Sequence, residues 1–461
     1  MSLIRRHTLE YQPDSSLLFS RILHLPWAQF LDSCNTGAER GRYDILVADP
    51  YLTLTGTQGQ FTLTRQDGSS KSLQGDAFTL IQQLLEEPLE PIDGLPFAGG
   101  ALGYLAYDLG AEQYRLAEQA EISAMPSLAL GFYDWAVVVD HQKACSTLVS
   151  SGRGELSQER WQELVALLSA PAITQQMPAG LQLQSELVVD ADRSGYETAF
   201  QRIQHYLLEG DCYQVNYARC FRASCAGNAW PDYLRLRRQN PVPFGAFLNL
   251  PFSQVVSASP ERFLAARNGR VETRPIKGTR PRSADPKQDQ QYRDELQHSQ
   301  KDRAENLMIV DLLRNDLGKS CKPGSIQVPE LFQVEAYPTV FHLVSSVTGE
   351  LQSDKTVLDL LRGCFPGGSI TGAPKKRAME IIAELERYKR GIYCGAIGYI
   401  GFDGQMDMNI AIRTMTVSAG RLCFWAGGGI VADSRVDAEF QETIDKAAAF
   451  LRLLGLADGP G

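Results

Sequence analysis

The chain has 461 residues, 44% hydrophobic and 21% charged, which excludes disordered and fibrous classes and supplies enough apolar material for one very large domain or two to three smaller ones. A formal net charge of −9 argues against a nucleic-acid partner, because a phosphate backbone is bound by clustered surplus Lys and Arg, yet it permits a small anionic substrate in a locally positive pocket. Nine scattered cysteines without a CxxC pair, no signal-peptide core in MSLIRRHTLEYQPDSS and no run long enough for a membrane span predict a soluble, cytoplasmic protein without disulfides, zinc knuckle or membrane contact.

Residues 1–150 read as short β-rich runs, among them Tyr43–Val47, 99–107 and Trp135–Asp140, separated by Gly, Pro and Asp turn signals. The more polar stretch 151–190, with a short helical pattern at 159–168, is the expected connection to a second unit at 191–456. There, Ser194 and Glu197 suggest a capping box, and Tyr196, Phe200, Ile203 and Leu207 make one apolar helical face ending at Gly210. A strand is predicted at 213–221. Helical periodicity marks 301–317, 374–387 with its proline in the first turn, and 437–454; strand-like runs fall at 392–402, 410–418 and 422–426. The predicted fold is α+β, a large β-sandwich-like core of antiparallel sheets with helices packed outside.

Two helices carry paired carboxylates. Asp302 and Glu305 are three apart on one face, with Leu307, Ile309 and Val310 directed to the core; Glu439 and Glu442 repeat the device, with Lys446 one turn on and Phe440, Ala447, Phe450, Leu451 and Leu454 opposite. Facing one pocket, such pairs suit a hard cation like magnesium, although solvated helix faces have the same pattern. Two glycine-rich segments stand out. FPGGSITGAPK, residues 365–375, runs into a helix whose free N–H groups suit an anion; AGGGIVADS, residues 426–434, reads as a second turn, where glycine allows close backbone approach.

From about 190 to 455 the sequence resembles the chorismate-utilising enzymes. The resemblance rests on the order of Ser259-Pro260-Glu261-Arg262-Phe263, Arg274-Pro275-Ile276-Lys277-Gly278-Thr279, Asp302-Arg303-Ala304-Glu305-Asn306, both glycine segments, and Glu439-Phe440-Gln441-Glu442-Thr443. It implies that Glu305 and Glu442 bind Mg2+ against the ring carboxylate, with Asp302 and Glu439 nearby. It further implies that Tyr393 and Arg413 hold the enolpyruvyl carboxylate, and that Gly427, Gly428, Gly429, Thr279, Thr371 and Lys446 complete the anion pocket. Glu261 would be the general acid toward the departing hydroxyl, and His342 would lie near the leaving position.

Within the family, members that add water carry a lysine where this chain has Gln214, which cannot serve as that base, so amination is favoured. Lys277 stands where anthranilate synthases usually carry alanine, and implies attack on ring C2, followed by ammonia at C4, giving 4-amino-4-deoxychorismate for p-aminobenzoate and folate synthesis. The alternatives are an anthranilate-forming enzyme and a non-catalytic chorismate-binding scaffold. No Gly-x-Cys-x-Gly elbow is present, so the resemblance implies a separate glutamine amidotransferase subunit as ammonia source. In the first half, Leu17-Leu18-Phe19-Ser20 lacks the glutamate of a tryptophan-feedback signature, and an amino-acid pocket near Ser20, Tyr43 and Asp44 is left open.

Overall fold

The computed structural model describes residues 4–456 except 36–40, 93, 115, 118, 123, 155 and 172–177. Its strands include Val-rich runs such as Trp135–Asp140, buried at every position, and a strand buried on both faces needs a layer on each side. Two antiparallel sheets supply those layers, of 13 and 12 strands among the described residues. The first passes through Trp135–Asp140, Tyr43–Val47, Ala28–Asp32, Phe244–Leu250, Ser253–Ser259, Thr414–Ser418, Arg421–Ile430 and Gln214–Ala226. The second passes through Ile276–Pro281, Val340–Glu350, Arg270–Thr273, Arg262–Arg267, Met406–Asn409, Ala396–Gly401, Gly100–Leu105 and Leu128–Tyr133.

Between the sheets, Ile45, Val47 and Val138 of the first meet Leu102, Tyr133 and Tyr399 of the second. Helices cover the outer faces. Phe19, Trp230 and Phe450 pack on Phe30, Phe247 and Phe424, while Phe78, Ile81, Leu358 and Leu361 close the other side. This is the expected sandwich with helices outside. Strands from 1–150 and from 191–456 pair directly, as Ala28–Asp32 does with Phe244–Leu250 and Gly100–Leu105 with Ala396–Gly401. Of the expected connection at 151–190, residues 155 and 172–177 lie outside the described set; the rest includes the helix Gln158–Ser169. Among the described residues no helix is long and apolar enough to cross a membrane.

Tyr43–Val47 and Trp135–Asp140 form the predicted strands. The run 99–107 divides into the strand Gly100–Leu105 and the short helix Tyr107–Ala111. The helix predicted from a Ser194 cap is instead Arg193–Leu208, capped by Asp192, whose carboxylate accepts from the Gly195 N–H; Ser194 already lies inside the first turn. Pro374 precedes its helix, Lys375–Leu385, instead of lying within it. Leu307, expected in the core, is 52% exposed, whereas Ile309 and Val310 are buried.

Candidate active site

The three glycines at 427–429 do not form a turn. They lie inside the strand Arg421–Ile430, opposite Ala218, Tyr217 and Asn216 of Gln214–Ala226. The correction has a steric reason. A Cβ on Gly427 would sit 2.3 Å from the Tyr217 carbonyl oxygen, and one on Gly429 would overlap Gln214 Nε2 at 1.8 Å. At Gly428 the same position lies 3.2 Å from Glu439 Oε2 and 3.3 Å from Glu442 Oε1, so the missing side chain lets both carboxylates rest against the strand.

Those carboxylates come from the helix Val436–Leu453, which follows the strand directly. Glu439 is 2% exposed; Ser434 donates to its Oε1 at 2.7 Å, while Oε2 is buried without a partner among the described residues. Lys446 pairs with Glu442 at 2.6 Å and donates to the Gly427 carbonyl at 2.9 Å. The helix Gln300–Gly318, capped by the Ser299 hydroxyl, supplies Asp302 and Glu305. Asp302 is paired with Arg280 at 3.1 Å, and Lys301 stands 3.9 Å from Glu305 and 3.6 Å from Glu439. Burial raises the Glu305 and Glu439 carboxyls. On Glu442 burial is the largest single influence and acts upward, but the charge and hydrogen bond of Lys446 together with the charges of Lys277 and Lys301 outweigh it and hold the group below its usual range.

Lys277 rises from the strand Ile276–Pro281, and its Nζ donates to the Ser369 carbonyl at 3.1 Å. Burial lowers the lysine below its ordinary range, opposed by Glu305, Glu261 and Glu442 and assisted by Lys446. The next residue, Gly278, has φ +80°, and a Cβ there would meet Asp302 at 2.8 Å; glycine is what lets the strand pass this helix. Glu261 is 4% exposed, and burial raises its carboxyl despite the hydrogen bond from Ser369 Oγ at 2.7 Å. His342, opposite Thr279 in the register, shares a 2.9 Å hydrogen bond with its hydroxyl. Burial and the Arg413 charge push His342 down to about 3, so the imidazole is neutral.

Arg413 sits at φ +48° and Cys394, beside Tyr393, at φ +64°, two non-glycine residues in the left-handed region. Tyr393 stacks on Trp425 at 5.9 Å. Thr371 spends its hydroxyl on its own loop, donating toward the Gly367 carbonyl at 3.1 Å. Gln214 is fully buried, and among the described residues neither of its amide atoms nor the Asn216 Oδ1 has a partner. Unpaired buried polar groups on one face of a strand are what a polar ligand leaves behind.

Among the described residues no three acidic, His or Cys groups form a preformed metal cage. The donor set nevertheless fits magnesium, which binds through one or two carboxylates plus substrate oxygens: Glu439 Oε2 is orphaned, and it converges with Glu442 over Gly428. Sequence reasoning missed Ser369, Lys301, Asn216 and Arg390. Arg390 donates to Glu386 at 2.7 Å, to the Ile370 carbonyl at 3.1 Å and to the Asn216 carbonyl at 2.6 Å, tying the glycine loop to the Gln214 strand.

The profile of the chorismate binding enzyme family matches residues 30–452. The chain belongs to that family. It is 47% identical to aminodeoxychorismate synthase component 1 of Salmonella typhimurium over 97% of each chain, and 45% identical to the Escherichia coli protein of the same name, over 97% of this chain and 98% of that one. Anthranilate synthase component 1 of Geobacillus stearothermophilus is 34% identical, over 93% of this chain and 89% of that one. Among solved structures, anthranilate synthase component I of Streptococcus pneumoniae superposes with TM-score 0.79 at 31% identity, covering 88% of this chain and 91% of that one. The Escherichia coli isochorismate synthase MenF, at 19% identity and TM-score 0.72 over 98% and 95% of the two chains, shares the fold.

Proposed function

We propose that the chain aminates chorismate at C4, yielding 4-amino-4-deoxychorismate on the way to p-aminobenzoate and folate, as the names of its relatives at 45–47% identity suggest. The observation that carries this reading is the meeting of Lys277 and Glu261 at Ser369, a lysine kept below its usual pKa beside a carboxyl kept above it. Both shifts run toward the neutral amine and protonated carboxyl that nucleophilic displacement needs.

The neutral Lys277 amine attacks ring C2, the C1=C2 and C5=C6 double bonds move to C1=C6 and C4=C5, and the C4 hydroxyl leaves as water with the Glu261 proton. Ammonia then attacks C4, both double bonds move back, and the C2–N bond to Lys277 breaks, with Glu261 available to take up the proton that the new ammonium loses. The enolpyruvyl group is retained throughout. Tyr393, Arg413, Thr279, Thr371 and the Gly427 and Gly429 amides are assigned to the substrate and its carboxylates, and Gln214 to the ring face; the Gly428 amide is taken up in the ladder with Tyr217. His342, neutral and fixed by Thr279, is placed as a hydrogen-bonding partner near the leaving group.

Glu305 and Glu442 are the groups assigned to hold Mg2+, with Glu439 and Asp302 beside them; the ion would neutralise the ring carboxylate. Ammonia is assigned to a separate glutamine amidotransferase, in keeping with "component 1" in the relatives' names. The test is product identification by mass after incubation with chorismate, magnesium and ammonium. Replacement of hydroxyl by amine with the pyruvyl group retained is expected, glutamine alone giving none. An aromatic aminobenzoate with release of pyruvate overturns the C4 assignment.

A further inference from the structure

Ser369 joins the two groups on which that reading rests, yet carries no chemistry of its own. Its Oγ donates to Glu261 Oε1 at 2.7 Å and its carbonyl accepts from Lys277 Nζ at 3.1 Å. The residue is 6% exposed and sits in the tight turn Gly368–Ile370, where the chain has little freedom. A Cβ on Gly367 would meet Ile410 at 2.6 Å, and one on Gly368 would meet Leu312 at 2.7 Å, so the turn is pressed against the core on both preceding residues. After it, the Arg390 guanidinium holds the Ile370 carbonyl, and is itself held by Glu386 at 2.8 and 2.7 Å. The Thr371 carbonyl accepts from the Asn216 N–H at 2.9 Å.

We infer that Ser369 is a positioning residue for the reaction, seating the proton donor Glu261 through its hydroxyl and the nucleophile Lys277 through its carbonyl. The two contacts do different work. A hydrogen bond to Oε1 fixes the plane of the Glu261 carboxyl and stabilises the carboxylate left after the proton has gone. An N–H of Lys277 anchored on the carbonyl turns the amine's lone pair away from the turn, toward the cleft. One rigid turn carries both contacts, and together with the Ile276 N–H that also donates to Glu261 it fixes the separation of acid and nucleophile; misplacement by an ångström costs about 10²-fold.

The test separates hydroxyl from carbonyl and rests on the C4-amination reading. The rate of covalent adduct formation on Lys277 is followed across pH by intact mass, with chorismate and magnesium present and ammonia withheld, for wild type, Ser369→Ala and Ser369→Thr. Alanine keeps the carbonyl and loses the donor to Glu261. The charged and titratable groups facing Glu261 are Lys277, Lys446 and Cys394, and the Ile276 N–H also donates to it; all are unchanged in these variants. Loss of a donor that stabilises the carboxylate raises the Glu261 pKa, so the limb of the profile that Glu261 controls moves to higher pH while the other limb stays. The maximal rate falls about 10²-fold with little change in the chorismate concentration for half-maximal rate. Threonine, which keeps both groups, retains the wild-type profile. An alanine profile that is unshifted, or a threonine profile shifted like alanine's, overturns the inference. A wild type that forms neither adduct nor aminated product overturns the functional reading instead.

Discussion

Two clusters of buried charge lie in this molecule, and they are built on opposite rules. In the first half, Asp32 accepts from Arg237 Nε at 2.6 Å, Tyr233 Oη at 2.8 Å and the Cys34 N–H at 2.7 Å. Asp44 accepts from the Ser33 N–H and hydroxyl at 2.7 and 2.6 Å, from Ser15, and pairs with His141, which in turn meets Tyr11. Among the described residues of the candidate site, Gln214 has no partner at either amide atom, Glu439 has an idle oxygen, and Arg413 carries no ion pair. Saturated networks spend their polarity on the fold; unsaturated ones hold it in reserve for a ligand. Tyr43 belongs to neither cluster. It lines a cavity of about 510 Å³ with Arg42, Phe244 and Arg262, which Asp32 and Ser33 also line but neither Ser20 nor Asp44 does.

The contrast breaks most visibly at Lys277. Lys277→Ala is expected to abolish the adduct and to slow amination at C4 by about 10³-fold or more, since an oriented intramolecular nucleophile is worth effective molarities of roughly 10⁵ M and above. Thermal stability should hold. Peptide mapping of the wild type under ammonia-free conditions checks the assignment; an unmodified Lys277 together with an alanine variant of near wild-type rate removes the covalent route.

Next in size come Glu305→Gln and Glu442→Gln. Each replaces an anionic oxygen in a site with few to spare, so magnesium-dependent turnover should fall by about 10²-fold or more with folding intact. Rate against magnesium concentration is the readout, and an unchanged dependence would sink the metal assignment.

The saturated cluster should answer the other way. Arg237→Met leaves the fully buried Asp32 carboxylate without its cation, which typically costs about 3–5 kcal/mol. Urea unfolding should show that loss, while the rate per folded molecule stays at wild type. A variant that is equally stable, or one that folds but turns over slowly, would erase the distinction between the two clusters.

How much of this was legible beforehand depends on the range of the contact that decides each feature. Helices bearing carboxylates were placed within a residue or two, because a 3.6-residue period is local information. Residues 427–429 read as a turn from sequence because three glycines have no strand preference of their own; ten paired residues of Gln214–Ala226 impose the extended form. Asp302 could be assigned to a helix face from sequence, but its commitment to Arg280, twenty-two residues earlier, could not. Ser369 was hidden for the same reason. It reaches Glu261 across 108 residues of sequence, and nothing in the glycine segment marks the serine above its neighbours.

The smallest predicted effect falls where the two kinds of region touch. Asp108, on the short helix Tyr107–Ala111 of the first half, accepts from the Gly391 N–H at 2.8 Å and so pins the segment that carries Arg390 and Tyr393. Burial raises its carboxyl from 3.8 to about 7, with Gly391, Lys389 and Arg390 opposing and Glu112 assisting. A raised acid favours its neutral form in the folded state, so ionisation works against folding. That penalty is absent below the unfolded value, grows as pH rises toward the folded one, and is complete above it. Asp108→Asn keeps an oxygen for the Gly391 N–H and removes the charge. It should therefore stabilise the protein at pH 8, by about 1–2 kcal/mol once partial exposure is discounted, and the gain should shrink as pH is lowered toward 5. Thermal unfolding across that range checks it. A gain of equal size at both ends would mean that the Asp108 charge is already compensated, placing the residue with the saturated cluster and not at the boundary.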